Sequence, residues 1–142
     1  MTDLATPNTA SNNGTRTEPD LALTEHPLLP ESAPKNPLHG ASVEFLGIVR
    51  DLENGDKIAG IDYRAYPPMA EAMLRKIALE GSDRFEEHTV KIHHRTGFVP
   101  AAEPSVVIRV TTPHSMAAFE ICQHYLKRLK AEIPIWKHPV LA

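Results

Sequence analysis

The chain has a single cysteine, Cys122, in 142 residues. An intrachain disulfide is excluded, and a lone thiol in the apolar stripe of a helix reads as buried and inert, in a reducing compartment. No apolar run approaches the roughly 18 residues needed to span a bilayer. Residues 1–16 are polar and carry no signal-peptide core, so the expectation is a cytoplasmic protein without a membrane partner. The phosphate-binding P-loop, the G-x-G-x-x-G fingerprint and the G-x-S-x-G elbow are all missing. That argues against the common NTPase, Rossmann and hydrolase chemistries. No Cys/His set has metal-ligand spacing; His93 and His94 are neighbours on an expected strand and point to opposite faces, where they cannot readily share one ion. Neither a metal nor a cofactor is expected.

A basic surface is missing too. Residues 1–36 hold five acids (Asp3, Glu18, Asp20, Glu25, Glu31) against Arg16 and Lys35, which accounts for the whole formal net charge of −3. The remaining residues balance. A general nucleic-acid binder spreads positive charge over a face, so no nucleic acid is expected. Positive charge gathers instead at one end, where Lys127, Arg128, Lys130 and Lys137 face Glu132 alone. That pattern reads as a local anion site.

What is present suits one soluble domain: 42% apolar and 23% charged residues. Residues 1–37 hold six of the 13 prolines, are rich in Thr, Asn and Ser, and show no helical or strand period. They read as a disordered N-terminal tail whose Leu21, Leu23, Leu28 and Leu29 can dock briefly, with the domain at 38–142. Residues 41–50 alternate Val43, Phe45, Gly47 and Val49 against Leu46 and Ile48, a strand partly buried on both faces. Gly47 within it marks a bulge or a close approach. Asn54-Gly55 marks a turn, and residues 58–66 a return strand. Pro67-Pro68 opens a helix of about five turns with its stripe at Ala70, Leu74, Ile77, Ala78, Gly81 and Phe85. Strands at 90–97 and 105–112 flank a loop. A second helix opens at Pro113-His114-Ser115, with Ser115 or Thr112 as candidate N-cap and a stripe at Ala118, Ile121, Cys122, Tyr125 and Leu129. Pro134 stops it. Ile135-Trp136-Lys137 is then extended and pairs with a sheet edge. The order β-β-α-β-β-α-β gives an α+β class with a mostly antiparallel sheet and two main helices.

Lys130 and Lys137 stand seven residues apart on either side of Pro134. Lysines near a helix C-terminus are ordinarily dipole partners in water. Lys137 follows the apolar pair Ile135-Trp136, which should be buried, and a lysine held beside apolar surface has its pKa pushed down. Such an amine is a nucleophile or proton donor; still protonated, it is a point charge for phosphate or carboxylate. Arg50 at a strand end and His114 before a helix N-terminus are further anion-binding candidates.

Four segments together resemble the large, catalytic subunit of molybdopterin synthase: Gly40-Ala-Ser-Val-Glu-Phe-Leu-Gly-Ile-Val-Arg50, Tyr63-Arg-Ala-Tyr-Pro-Pro-Met-Ala70, Ile92-His-His-Arg-Thr-Gly97, and His114 through Pro134-Ile-Trp-Lys137. The resemblance covers residues 38–137. It implies an α/β hammerhead fold and a sulfurtransferase that converts cyclic pyranopterin monophosphate to molybdopterin, inserting two sulfurs as a dithiolene in molybdenum cofactor biosynthesis. The implied partner is a small ubiquitin-like sulfur-carrier subunit with a C-terminal Gly-Gly thiocarboxylate, in a heterotetramer built on a homodimer of the large subunit. By resemblance Lys130 and Lys137 are catalytic, and Arg50, His114 and Ser115 line the substrate pocket. Departures stand beside the matches. The family usually has arginine where this chain has Ser115, the loss of a charged hydrogen bond of about 1.5–3 kcal/mol. It often has glutamate where this chain has Phe98, and a longer tail than the one ending here at Ala142. Arg95 and Arg109 are candidates to compensate. The resemblance thus leaves two readings: an active synthase, or a degenerate paralogue that binds the small subunit without turnover.

Overall fold

The computed structural model describes residues 18–142. Residues 1–17, part of the expected tail, lie outside them. The elements are β1 (Asp20–Thr24), β2 (Ala41–Ile48), β3 (Leu52–Glu53), β4 (Asp56–Ala65), α1 (Pro67–Arg84), β5 (Thr89–Arg95), β6 (Gly97–Pro100), β7 (Pro104–Thr112), α2 (Ser115–Glu132) and β8 (Ile135–Leu141). Two mostly antiparallel sheets with two helices bear out the expected class.

Sheet one has the order β1-β5-β7-β2. Every pairing is antiparallel except β1 on β5. Its helix-facing side carries Val90 and Ile92 of β5 with Val106, Ile108 and Val110 of β7, the period-2 set read from the sequence. Against it lie Leu74, Ile77 and Ala78 of α1 and Ile121, Cys122, Tyr125 and Leu129 of α2. Burial of Cys122 pushes its thiol pKa up, as an inert core cysteine requires. α2 starts after His114 with no side-chain cap. The Thr112 hydroxyl instead donates to the His114 carbonyl, 2.6 Å away, so neither expected N-cap holds.

Four other expectations are corrected. Residues 20–24, assigned to a disordered tail, form β1, with Leu21 and Leu23 packed on the core. Five residues of edge strand leave too little pattern among prolines to read. The 58–66 segment does not return along β2: β4 is the central strand of sheet two, pairing β3, β6 and β8. The Gly97–Pro104 loop contains β6, which pairs with β4. Finally, β2 is covered on one side only, leaving Leu46 43% and Ile48 55% exposed. At Gly47 the register shifts, and an added Cβ would meet Val106 Cγ1 at 2.7 Å, so bulge and close approach coincide there. Asn54 and Gly55 both have positive φ, closing the β3–β4 hairpin as their sequence demands.

Sheet two matters because it carries β8. Its small core is Val49, Ile58, Ile61, Tyr63 and Val99, with Ile135 against it. β8 runs antiparallel to β4 from Ile135↔Ala65 to Leu141↔Ile58, placing Lys137 opposite Tyr63.

Burial gives the fold a pH dependence. His88 is held between α1 and β5, its Nδ1–H donating to the Glu86 carbonyl at 2.8 Å and its Nε2 accepting from the Tyr125 hydroxyl at 2.7 Å. Desolvation lowers the pKa of His88, and also those of His94 and His124, below the ordinary 6.5. The unfolded chain therefore takes up protons that the native state resists. This contribution to stability is complete above the unfolded value and is lost as the pH falls below it. The melting temperature is expected to drop by several degrees between about pH 7.5 and about pH 5.5. A flat profile over that range, followed by circular dichroism, would contradict the buried-histidine account.

Candidate active site

The last turn of α2 and the start of β8 meet at a break the sequence dictates. Ile133 N–H closes on the Leu129 carbonyl at 3.2 Å, and Pro134 cannot continue the helix. The chain leaves as a strand. Lys130 therefore projects from a helix and Lys137 from a strand, and both line one cavity of about 630 Å³. Phe45, Leu46, Gly47 and Ile48 of β2 form another part of its lining, with Leu126 and Leu129 of α2. Tyr63, His94 and Ser105 supply polar atoms among the remaining lining residues. An apolar wall with a few convergent polar groups is the usual make-up of a ligand site.

The route by which Lys137 comes to this cavity differs from the sequence expectation. Trp136 was expected to be buried and is 56% exposed. β8 lies on the outer edge of sheet two, and every residue of it after Ile135 is exposed. The lysine is held by charge instead: its Nζ lies 3.6 Å from Glu53 Oε2, and the Glu53 side chain is 19% exposed. The same carboxylate accepts from Arg50 Nη2 at 3.3 Å through its other oxygen. Arg50 and Lys137 thus share one acid, which ties Arg50 to a cavity residue although Arg50 does not line the cavity. Glu53 was passed over in the sequence because it stands within a turn; the only signal was a carboxylate three residues after Arg50.

His114 and Ser115 are elsewhere. They mark the start of α2, and Lys130 lies in its last turn. Sixteen residues of helix at about 1.5 Å each put roughly 24 Å between them. One chain therefore joins Lys130, Lys137 and Arg50, and leaves His114 and Ser115 apart. Neither candidate replacement for the missing arginine reaches the cavity. Arg95 is buried and donates to Glu103 at 2.8 Å. Arg109, also buried, donates to the Glu31 carbonyl at 3.3 Å, beside the ion pair of Lys91 with Glu31.

The two adjacent histidines separate as strand geometry requires. The odd-numbered His93 faces away from the helices and lies 2.8 Å from Asp20 Oδ1. His94 lies on the helix side and borders the cavity. Among the described residues no group of three or more His, Cys, Asp or Glu is placed to hold a metal ion, and no helix is long and apolar enough to cross a membrane.

The MoaE protein family matches residues 22–132. The molybdopterin synthase catalytic subunit of Bacillus subtilis is 39% identical over 101 residues, covering 71% of this chain and 64% of that protein. The subunit of the same name from Bos taurus is 37% identical over 105 residues, covering 74% of this chain and 56% of that protein. The chain thus spans less than two thirds of the length of both relatives. The crystal structure of molybdopterin synthase from Staphylococcus aureus superposes with a TM-score of 0.79 at 31% identity, over 84% of this chain and 90% of that one. Family match, relatives and fold agree with one another, and the chain belongs to the MoaE protein family.

Proposed function

We propose that this chain is the catalytic subunit of a molybdopterin synthase, a sulfurtransferase acting on cyclic pyranopterin monophosphate. The sulfur donor is the C-terminal thiocarboxylate of a small ubiquitin-like subunit. The observation that carries the reading is the convergence of Lys130 and Lys137, from two elements separated by Pro134, on one cavity. Thiocarboxylate and substrate phosphate are both anions. Two ammonium groups and the nearby Arg50 guanidinium supply charge-assisted hydrogen bonds to them. A Gly-Gly tail has no side chains and can lie along the cavity wall that Leu46 and Ile48 of β2 share with the lysines. Once the donor sulfur is bonded to the pterin, its acyl carbon must be attacked to release it. The lysine cations stabilise the oxyanion that develops there.

His114 and Ser115 enter through a second copy. In a homodimer within a heterotetramer, the α2 N-terminus of one chain serves the cavity of the other. This has a sharp consequence for mixed dimers. Lys130→Ala and His114→Ala are each expected to be inactive, and a one-to-one mixture reassembled together should recover about a quarter of wild-type activity, because half the dimers are mixed and one of their two sites is intact. No recovery in a mixture shown to contain mixed dimers would place both residues in the same chain's site.

Ser115 favours one alternative: a paralogue that binds the small subunit without turnover. Expression in cells lacking their own large subunit separates the two. Restored molybdoenzyme activity supports the synthase. A chain that captures the small subunit and restores nothing is the non-catalytic paralogue.

A further inference from the structure

Of the polar groups lining the cavity, His94 is not used by the reading above. Its Nδ1 lies 2.7 Å from the Arg95 carbonyl oxygen. A carbonyl only accepts, so Nδ1 carries the hydrogen and the neutral ring has its lone pair on Nε2. Nε2 has no protein hydrogen-bond partner among the described residues. The ring is fixed from the side as well, edge-on to Tyr63 with centroids 5.2 Å apart and planes at 74°. Tyr63 itself is buried and paired in register with Lys137. An acceptor lone pair does not bind an anion. In a cavity built for anions, this one group needs a donor.

We propose that His94 is the general base of the cavity, receiving on Nε2 a proton from the water that releases the sulfur. The inference rests on the sulfur-transfer reading. The step balances as follows. Sulfur is bonded to the acyl carbon of the donor's terminus and to the pterin. Water oxygen forms a bond to the acyl carbon, and one of its protons passes to Nε2. The carbon–sulfur bond breaks, its electron pair leaves on sulfur as the pterin thiolate, and the terminus becomes a carboxylic acid that ionises to solvent. His94 returns its proton to solvent and is neutral again. Nothing is oxidised or reduced.

The charged groups lining the cavity with the ring are Lys130 from α2 and Lys137 from β8, with the Tyr63 phenol from β4 beside it. Burial of the ring opposes its protonation more than the hydrogen bond to the Arg95 carbonyl favours it, so the base is free at neutral pH. A base already deprotonated when substrate binds contributes to the chemical step and not to affinity.

His94→Asn is the informative variant, because its amide retains a donor where Nδ1 stands and deletes Nε2. The expected result in the full complex with the thiocarboxylated small subunit and the pterin precursor is a fall in kcat of about a hundredfold or more. KM and small-subunit affinity stay within about threefold of wild type. His94→Ala opens the space of the ring, and added imidazole should then restore part of the lost rate, which a misfolded chain or a merely structural role would not give. Wild-type turnover together with an Asn variant within threefold of it, or an Ala variant indifferent to imidazole, overturns the inference alone. A wild-type complex that makes no product overturns the sulfur-transfer reading, and the inference with it.

Discussion

Replacing Lys130 by alanine is expected to lower turnover about a thousandfold while the fold survives. Lys130 is exposed, lies in the last turn of α2 and makes no ion pair with the described residues. Its loss therefore removes only a favourable interaction with the helix dipole, within about 0.5–1 kcal/mol. The effect on catalysis is of another order. An ammonium aimed at a developing oxyanion in a partly desolvated cavity resembles an oxyanion-hole donor, whose removal typically costs two to three orders of magnitude in rate. Lys130→Arg keeps the charge and alters the geometry, and should recover only part of the loss. Steady-state assays of both variants, with melting temperatures alongside, check this. Near wild-type activity in the alanine variant would remove Lys130 from the mechanism.

Gly60→Ala should be the most damaging conservative change in sheet two. Gly60 is on β4, between β6 and β8, where a Cβ would come to 2.3 Å from the Val99 carbonyl oxygen and 2.8 Å from the Phe98 ring. Phe98 can swing away, being 45% exposed. The Val99 carbonyl belongs to the backbone of a paired strand and cannot yield without opening the β4–β6 ladder. Overpacking of this kind costs about 3 kcal/mol, or about 10 °C in melting temperature for a domain of this size. The catalytic consequence is separate. β8 is fixed through its pairing with β4, and its register already shifts between Ile58 and Gly60. Distorting β4 moves Lys137 against Lys130, so activity should fall even at temperatures where the variant stays folded. A melting temperature within a degree of wild type would show that β6 moves freely. Full activity in a destabilised variant would show that the placement of β8 does not depend on this contact.

Much of this geometry was legible in the residues. The stripe of α2 holds position by position, and that of α1 up to Gly81, with Phe85 falling just past the helix as its C-cap, because a helix packed on a sheet has one apolar face to bury. Pro134 as the break that separates the two lysines followed from its missing N–H and ring. The opposite facing of His93 and His94 followed from the strand period. The misses share a cause: they depend on which strands pair, and periodicity does not contain that. β1 joins β5 from a proline-rich segment whose only sign was Leu21 and Leu23. β4 belongs to β6 and β8 rather than to β2, so the face of β2 bearing Leu46 and Ile48 is open and borders the cavity. Trp136 was read as a buried anchor, but an edge strand has a solvent side. Glu53, which links Arg50 to Lys137, became visible only once β3 folded back on β4. The separation of His114 from Lys130 is legible from the length of α2 alone, whereas a resemblance supplies residues without their distances.

Sulfur transfer itself is tested most directly with a small subunit carrying a radiolabelled thiocarboxylate sulfur, mixed with this chain and cyclic pyranopterin monophosphate under single-turnover conditions. The expected result is label in a pterin dithiolene, with the small subunit returned as its carboxylate, and no labelled pterin when Lys130 and Lys137 are both alanine. The same complex assembled by the wild-type chain, with all of the label still on the small subunit, would contradict the account.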